Sequence, residues 1–192
     1  MKLITSVLFL LAGLICFAQG GYEIKITLKP FKNQYIYLGH YYGKQLPIID
    51  SAKLNDKSEA VFKGNKKLGG GIYLIGYPDK GHHFEIAIDK NQRFSVIADT
   101  AKIRYVTFQN SPDNNEFKAY QEFMMKNGSA IDSLMKLRST VSAADSIKIN
   151  GQIETINSKI KKYRTDIITK DGDGLLATLL KAMKEPEVPQ ND

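Results

Sequence analysis

The hydrophobic period changes once along this chain, close to residue 110, and that change limits the folds open to it. Between Tyr22 and Phe108 apolar and polar residues alternate. YEIKITL, QYIYLGHYY, IYLIGY, FEIAI, RFSVIA and RYVTF each carry period two, with turn-forming residues between them. From Ser111 onward the apolar residues return at spacings of three and four. Side chains on a strand project to two faces in turn, whereas a helix brings them back to one face every third or fourth residue. Strands first and helices afterwards describe an α+β chain in which the helices are segregated from the sheets.

With PIIDSAKL and EAVFKG added, residues 19–109 hold about eight short strands at roughly ten-residue spacing, the pattern of a β-sandwich or barrel-like domain. No helix-length pattern interrupts them, so hairpins and short arches should connect a largely antiparallel sheet. Residues 110–184 read as a helical hairpin followed by a short C-terminal helix. Ser111-Pro112 is a start signal: serine can cap free N–H groups, and proline fits the first turn without losing a hydrogen bond. Phe117, Tyr120, Met124, Ile131, Leu134 and Val141 then share a face, and Asn127-Gly128 is a candidate break. A capping-box-like Ser142-Ala-Ala-Asp145 opens the second helix. Along it Ile149, Ile153, Ile156, Ile160, Tyr163 and Ile167 form a heptad seam. Fewer than three heptads favour covering the seam within the chain, by antiparallel pairing, over dimerisation. Asp171-Gly-Asp-Gly stops the hairpin, a short helix carries Leu175, Leu176, Leu179, Leu180 and Met183, and residues 185–192 form a Pro-broken polar tail or linker start.

The N-terminus reads as a signal peptide over residues 1–18. Lys2 supplies the positive end, and Leu3 to Ile15 form an apolar run too short to span a hydrocarbon core of about 30 Å as a helix. Cys16-Phe17-Ala18 places small residues three and one positions before a cut between Ala18 and Gln19. A lipoprotein signal needs a small residue before its cysteine, where this chain has Ile15, so lipidation of Cys16 is the weaker reading. The expected location is the periplasm or the periplasmic face of the outer membrane, with no transmembrane helix in the mature chain. Cys16 is the only cysteine, so a chain cut after Ala18 has no disulfide, thiolate ligand or thiol nucleophile. About 170 residues are then left to bury an ordinary core, enough to hide about 70% of the unfolded surface.

Residues that carry chemistry are scattered. Lysines and arginines outnumber acids 27 to 20, but the four arginines, Arg93, Arg104, Arg138 and Arg164, are spread out, and KGNKK at 63–67 sits in a turn. No nucleic-acid partner is expected. His82 and His83 would point to opposite faces of a strand, so a metal site would have to combine one of them with His40 and a carboxylate. Leu175 occupies the third ligand position of a calcium loop begun at Asp171, so Asp171-Gly-Asp-Gly reads as a helix stop and restart. Gly69-Gly70-Gly71 precedes a strand rather than a phosphate-binding helix, and no nucleophile elbow or placed triad appears. No cofactor and no catalytic residue are expected. Tyr35, Tyr37 and Tyr41 are candidate ligand-facing residues, because exposed rings on a strand offer stacking surfaces; the same row also suits the outside of a half-buried strand.

The run IIDSAKLNDKSEAVFKG at 48–64 resembles the strand-turn-strand signature of an N-terminal domain of unknown function in thioredoxin-like thiol:disulfide interchange proteins of the bacterial envelope. GGIYLIGYPDKGHHFEIAIDKNQRFSVIADT at 70–100 is similar to later strands of that domain. NSPDNNEFKAYQEFM at 110–124 resembles its passage into helices, with Asn110-Ser111 in place of the more usual Gly-Ser. LLATLLKAMKEPEVP at 175–189 looks like the helix before the family's further domains. The resemblance implies a β-sandwich-like domain and a helical hairpin, in a family whose catalytic Cys-x-x-Cys lies on a later thioredoxin domain. This sequence stops before such a domain, so no catalytic position carries over. The function expected is that of a non-catalytic accessory module, either part of a truncated or split member or acting alone. It would position or recruit partners in an envelope thiol:disulfide interchange system, the partner being a thioredoxin-like domain or a second copy of the chain. The alternative is a stand-alone periplasmic module that binds glycan or peptide.

Overall fold

The computed structural model describes residues 20–101 and 105–183. The expected signal peptide, with its junction at Ala18 and Gln19, and the polar tail lie outside the described residues. Eight strands come first: β1 (Tyr22–Lys29), β2 (Tyr35–His40), β3 (Ile48–Lys53), β4 (Glu59–Gly64), β5 (Gly71–Gly76), β6 (His83–Ile88), β7 (Arg93–Asp99) and β8 (Tyr105–Gln109). Three helices follow: α1 (Pro112–Arg138), α2 (Ala143–Lys170) and α3 (Leu175–Ala182).

The strands form two four-stranded sheets, ordered β4-β1-β7-β8 and β3-β2-β5-β6. Every ladder is antiparallel except β1 with β7, which run parallel from Glu23 opposite Arg93 to Lys29 opposite Asp99. The sheets pack face to face without closing into a barrel, which decides between the two all-β architectures that the alternation allowed. Period two places Ile24, Ile26 and Leu28 of β1 inward, where each is 0–1% exposed. Ile36, Leu38, Phe62, Ile75, Ile86, Ile88 and Val96 meet them from other strands of the two sheets. Each such side chain contributes about 1.5–3 kcal/mol by leaving water. On the outer face of β1, Glu23 lies within 3.6 Å of ammonium or guanidinium groups of Lys25, Lys63 and Arg93, a solvated cluster of small energetic weight.

The two sides of the sandwich differ. The turn at Asn55–Ser58 carries the chain from edge strand β3 to edge strand β4, in the other sheet, and Tyr22 on β1 donates a 2.9 Å hydrogen bond across the gap to Asp50 on β3. On the far side the edge strands β6 and β8 are joined by no ladder, and α1 packs against both.

The hairpin of α1 and α2 forms as its seam requires, and Ser142 caps α2 by accepting from the Asp145 N–H. Three expectations need correction. Asn127-Gly128 does not break α1, because the Asn127 side chain turns back and donates to the Phe123 carbonyl at 2.7 Å, and the backbone stays helical. Ser111 precedes α1 but makes no side-chain cap; its hydroxyl oxygen instead accepts from Asn114. Val141 falls in the turn between the helices rather than on α1. At Asp171–Gly174 the chain stops and restarts, and α3 folds back so that Leu176, Ala177 and Leu180 pack with Ile167, Phe117, Tyr120 and Tyr163.

Candidate functional site

Asn114, in the first turn of α1, fastens the helices to the sandwich. It is fully buried, its Oδ1 accepts from the Ala87 N–H at 2.7 Å, and its Nδ2 donates to the Ala87 carbonyl at 2.8 Å. A side-chain amide thus pairs with one residue of the open β6 edge as a neighbouring strand would. Ser111 accepts the second Nδ2 hydrogen at 2.8 Å, so every polar atom of the buried amide has a partner.

Beyond this joint α1 leaves the sheets and a cleft of about 400 Å³ opens between the β6 edge, β8 and the helix. Phe84 of β6, Val106 and Phe108 of β8 and Tyr77 supply apolar walls from the sandwich. Phe117, Gln121 and Met125 face them from α1 at spacings of four, one side of the helix. This is the size and lining of a ligand cleft, mostly apolar with a few polar groups. The polar groups come from both sides. Glu85 of β6 accepts from the Tyr41 hydroxyl at 2.9 Å and from Gln121 Nε2 at 2.8 Å. Lys118 and Glu122 pair with each other one helical turn apart. Burial first, and then the hydrogen bond to the Glu85 carboxylate, push the Tyr41 phenol above its ordinary value.

The three tyrosines all belong to the outer face of the β3-β2-β5-β6 sheet but do not form one row. Tyr35 lies at the start of β2, 52% exposed. Tyr37 borders a shallow hollow of about 110 Å³, with the Lys80 ammonium 4.9 Å from its ring centre. Gly39 lines the same hollow at the bulge of β2, where a Cβ would stand 2.9 Å from the Pro47 carbonyl oxygen. Tyr41 has left the strand and reaches over to Glu85.

The histidines stay apart. His40 packs by its ring against Tyr73, its Nδ1 buried without a partner; His82 Nδ1 lies 2.7 Å from Asp79; His83 borders both the cleft and the hollow. His82 and the turn N–H groups hold the Asp79 carboxyl below its ordinary range. Among the described residues no three His, Cys, Asp or Glu side chains are grouped to hold a metal ion, and no helix is long and apolar enough to cross a membrane.

Sequence reasoning placed Phe117 in the helical seam and read Phe84, Val106 and Phe108 as strand alternation, so it did not see that they converge. Asn114 was missed outright. The usable signal was an asparagine inside the first turn of a helix that already had Ser111 and Pro112 before it.

Searches of curated proteins and of solved structures return no significant match. A family model described as a domain of unknown function (DUF4369) matches residues 22–117, which takes in all eight strands, the Asn114 joint and the start of the cleft wall on α1. That match spans half of the 192-residue chain, and the chain belongs to this family.

Proposed function

We propose that this chain is a non-catalytic interaction module whose cleft between β6, β8 and α1 holds a segment of a protein partner. The observation that carries this reading is the cleft itself: about 400 Å³ of largely apolar space on the side of the sandwich where two sheet edges are left unjoined. Its polar groups are held by one another, Glu85 by Tyr41 and Gln121 and Lys118 by Glu122, an arrangement suited to orienting a bound segment. The resemblance of the 48–64 and 70–100 runs supports a narrower version, an accessory module of an envelope thiol:disulfide interchange system that recruits or positions a thioredoxin-like partner. The exported location rests on Lys2, the apolar run and the Cys16-Phe17-Ala18 junction.

A photo-crosslinking residue at Gln121, in cells that export the protein, tests this. The same group at Val61, exposed on β4 in the other sheet, serves as the control. Crosslinks specific to position 121 with an envelope protein are expected, and a thioredoxin-like protein among them would establish the narrower version. Crosslinks no different from those at 61 would remove the cleft as an interaction site.

The hollow beside Tyr37 favours a second reading, a stand-alone module that binds glycan. Tyr37→Ala with Tyr41→Ala would abolish retention on envelope glycan under that reading and leave it unchanged under the first.

A further inference from the structure

The bonds of β6 show which of its backbone groups face the cleft. Ala87 sends both its N–H and its carbonyl away from β5, to Asn114. On the β5 side, the ladder continues past Gly76 and His83 with Tyr77 N–H donating to the His82 carbonyl. Along an antiparallel edge the outward groups recur at every second residue. Glu85 and His83 therefore present their N–H and carbonyl groups outward, beside the cleft they line, and no described residue pairs with them there. Asn114 fills the first of three successive pairing positions and leaves two.

The side chains state what kind of strand would fit. The Glu85 carboxylate is held by two neutral donors, while Lys118, the cation on the facing wall, is already paired with Glu122. The cleft wall thus carries one uncompensated negative charge, fixed in position beside the free edge. A residue laid opposite Glu85 shows its side chain on the same face as Glu85, and its two neighbours point to the inner face, toward Phe84, Val106 and Phe108.

We propose that the free β6 edge takes an added antiparallel strand from the partner, an extended segment with Lys or Arg opposite Glu85 and apolar residues on either side. This rests on the cleft being the interaction site and deepens that reading by naming the recognised segment. Main-chain bonds to His83 and Glu85 would supply affinity, and the alternate side chains specificity. The chain as a whole carries a formal +7, so attraction to a basic residue is local, set by Glu85 within a screening length of about 8–10 Å.

The test uses the purified chain and a fluorescein-labelled heptapeptide, Val-Thr-Val-Lys-Val-Thr-Val, read by anisotropy, with amide exchange followed residue by residue. Binding should protect the His83 and Glu85 amides. N-methylation of the central lysine, which removes a strand donor, should weaken binding at least about tenfold, and Lys→Glu in the peptide should do the same. Glu85→Gln, which keeps the shape and both neutral partners, should erase the preference for lysine over glutamate. Equal binding of the N-methylated peptide overturns strand addition, as does the absence of binding by any of these peptides. If the peptide shifts Phe84 and Phe117 resonances while the His83 and Glu85 amides stay unprotected, strand addition fails and the cleft reading survives. Crosslinking at position 121 no different from position 61 removes both.

Discussion

The sandwich and the helical hairpin draw on the same apolar residue types and bury them to different depths. In the sandwich Ile24, Leu28, Ile36, Leu38, Phe62, Ile75, Ile86 and Ile88 are wholly withdrawn from water. Along the α2 seam only Ile149 and Ile167 are buried, each 5% exposed, while Ile153, Ile156 and Ile160 remain half-buried. A sheet face is covered across its whole width by another sheet, whereas a helical stripe in a two-helix hairpin has one partner and water on both flanks. Where α3 adds a third element, the seam closes around Ile167, Leu176 and Leu180; toward the tip Met135, Leu137 and Ile147 are 49–72% exposed. Apart from Ile149, which α1 alone covers as deeply, depth of burial here follows the number of covering elements and not the hydrophobicity of the residues.

The comparison is broken most severely from the sandwich side. Phe62 touches the core from β4 with no exposed surface, and Phe62→Ala should cost about 3–5 kcal/mol, read from the urea midpoint by far-ultraviolet dichroism. A loss below about 1 kcal/mol would mean that the two sheets are not packed as described. The next largest effect belongs to the joint. Asn114→Leu strands the Ala87 N–H and carbonyl beneath α1, and two unpaired buried groups should cost about 2–4 kcal/mol. It should also expose α1 to limited proteolysis before the sandwich is cut. Simultaneous cleavage of both regions would show that they unfold as one unit.

The hairpin should respond more mildly. Ile160→Ala removes a half-buried side chain and should cost about 1–2 kcal/mol, clearly below the Phe62→Ala loss. Equal losses at the two positions would erase the contrast between the regions.

What the sequence disclosed follows the same physics. Strand alternation was legible because each inward row faces a complete second sheet, and the Ile149-to-Ile167 repeat was legible because α1 runs beside it. Openness of the β6–β8 side was not, since Phe84, Val106 and Phe108 alternate like any core strand residue and nothing local says which edges stay unjoined. Asn114 was hidden for a related reason: asparagine near a helix start is common, and its burial arises only when α1 docks on Ala87. Asn127-Gly128 misled because a side chain that bonds its own turn removes the penalty that the dipeptide signals.

The smallest expected effect is also the one that ties the two regions together through charge. Asp113, beside Asn114 in the first turn of α1, has its carboxyl raised above the ordinary carboxylate range, by burial first and then by Asp89 and Asp171, with Lys90 opposing. A carboxyl raised on folding binds its proton more tightly in the folded chain. Its contribution is therefore most favourable below the unfolded value and is lost as pH rises through the folded one. The helix N-terminus favours the ionised form and works against this, by about 0.3–1 kcal/mol. Asp113→Asn removes the titration and part of that dipole attraction, so the net change should stay within about 1 kcal/mol after solvent screening. Its sign with pH is the informative quantity. Between about pH 3 and pH 7 the stability difference should move in favour of the variant as the parent carboxyl ionises. Movement in the opposite direction would show that the helix N-terminus outweighs burial and the neighbouring carboxylates. Ionised Asp113 would then stabilise the first turn of α1 itself, alongside the Asn114 amide that fastens that turn to the sandwich.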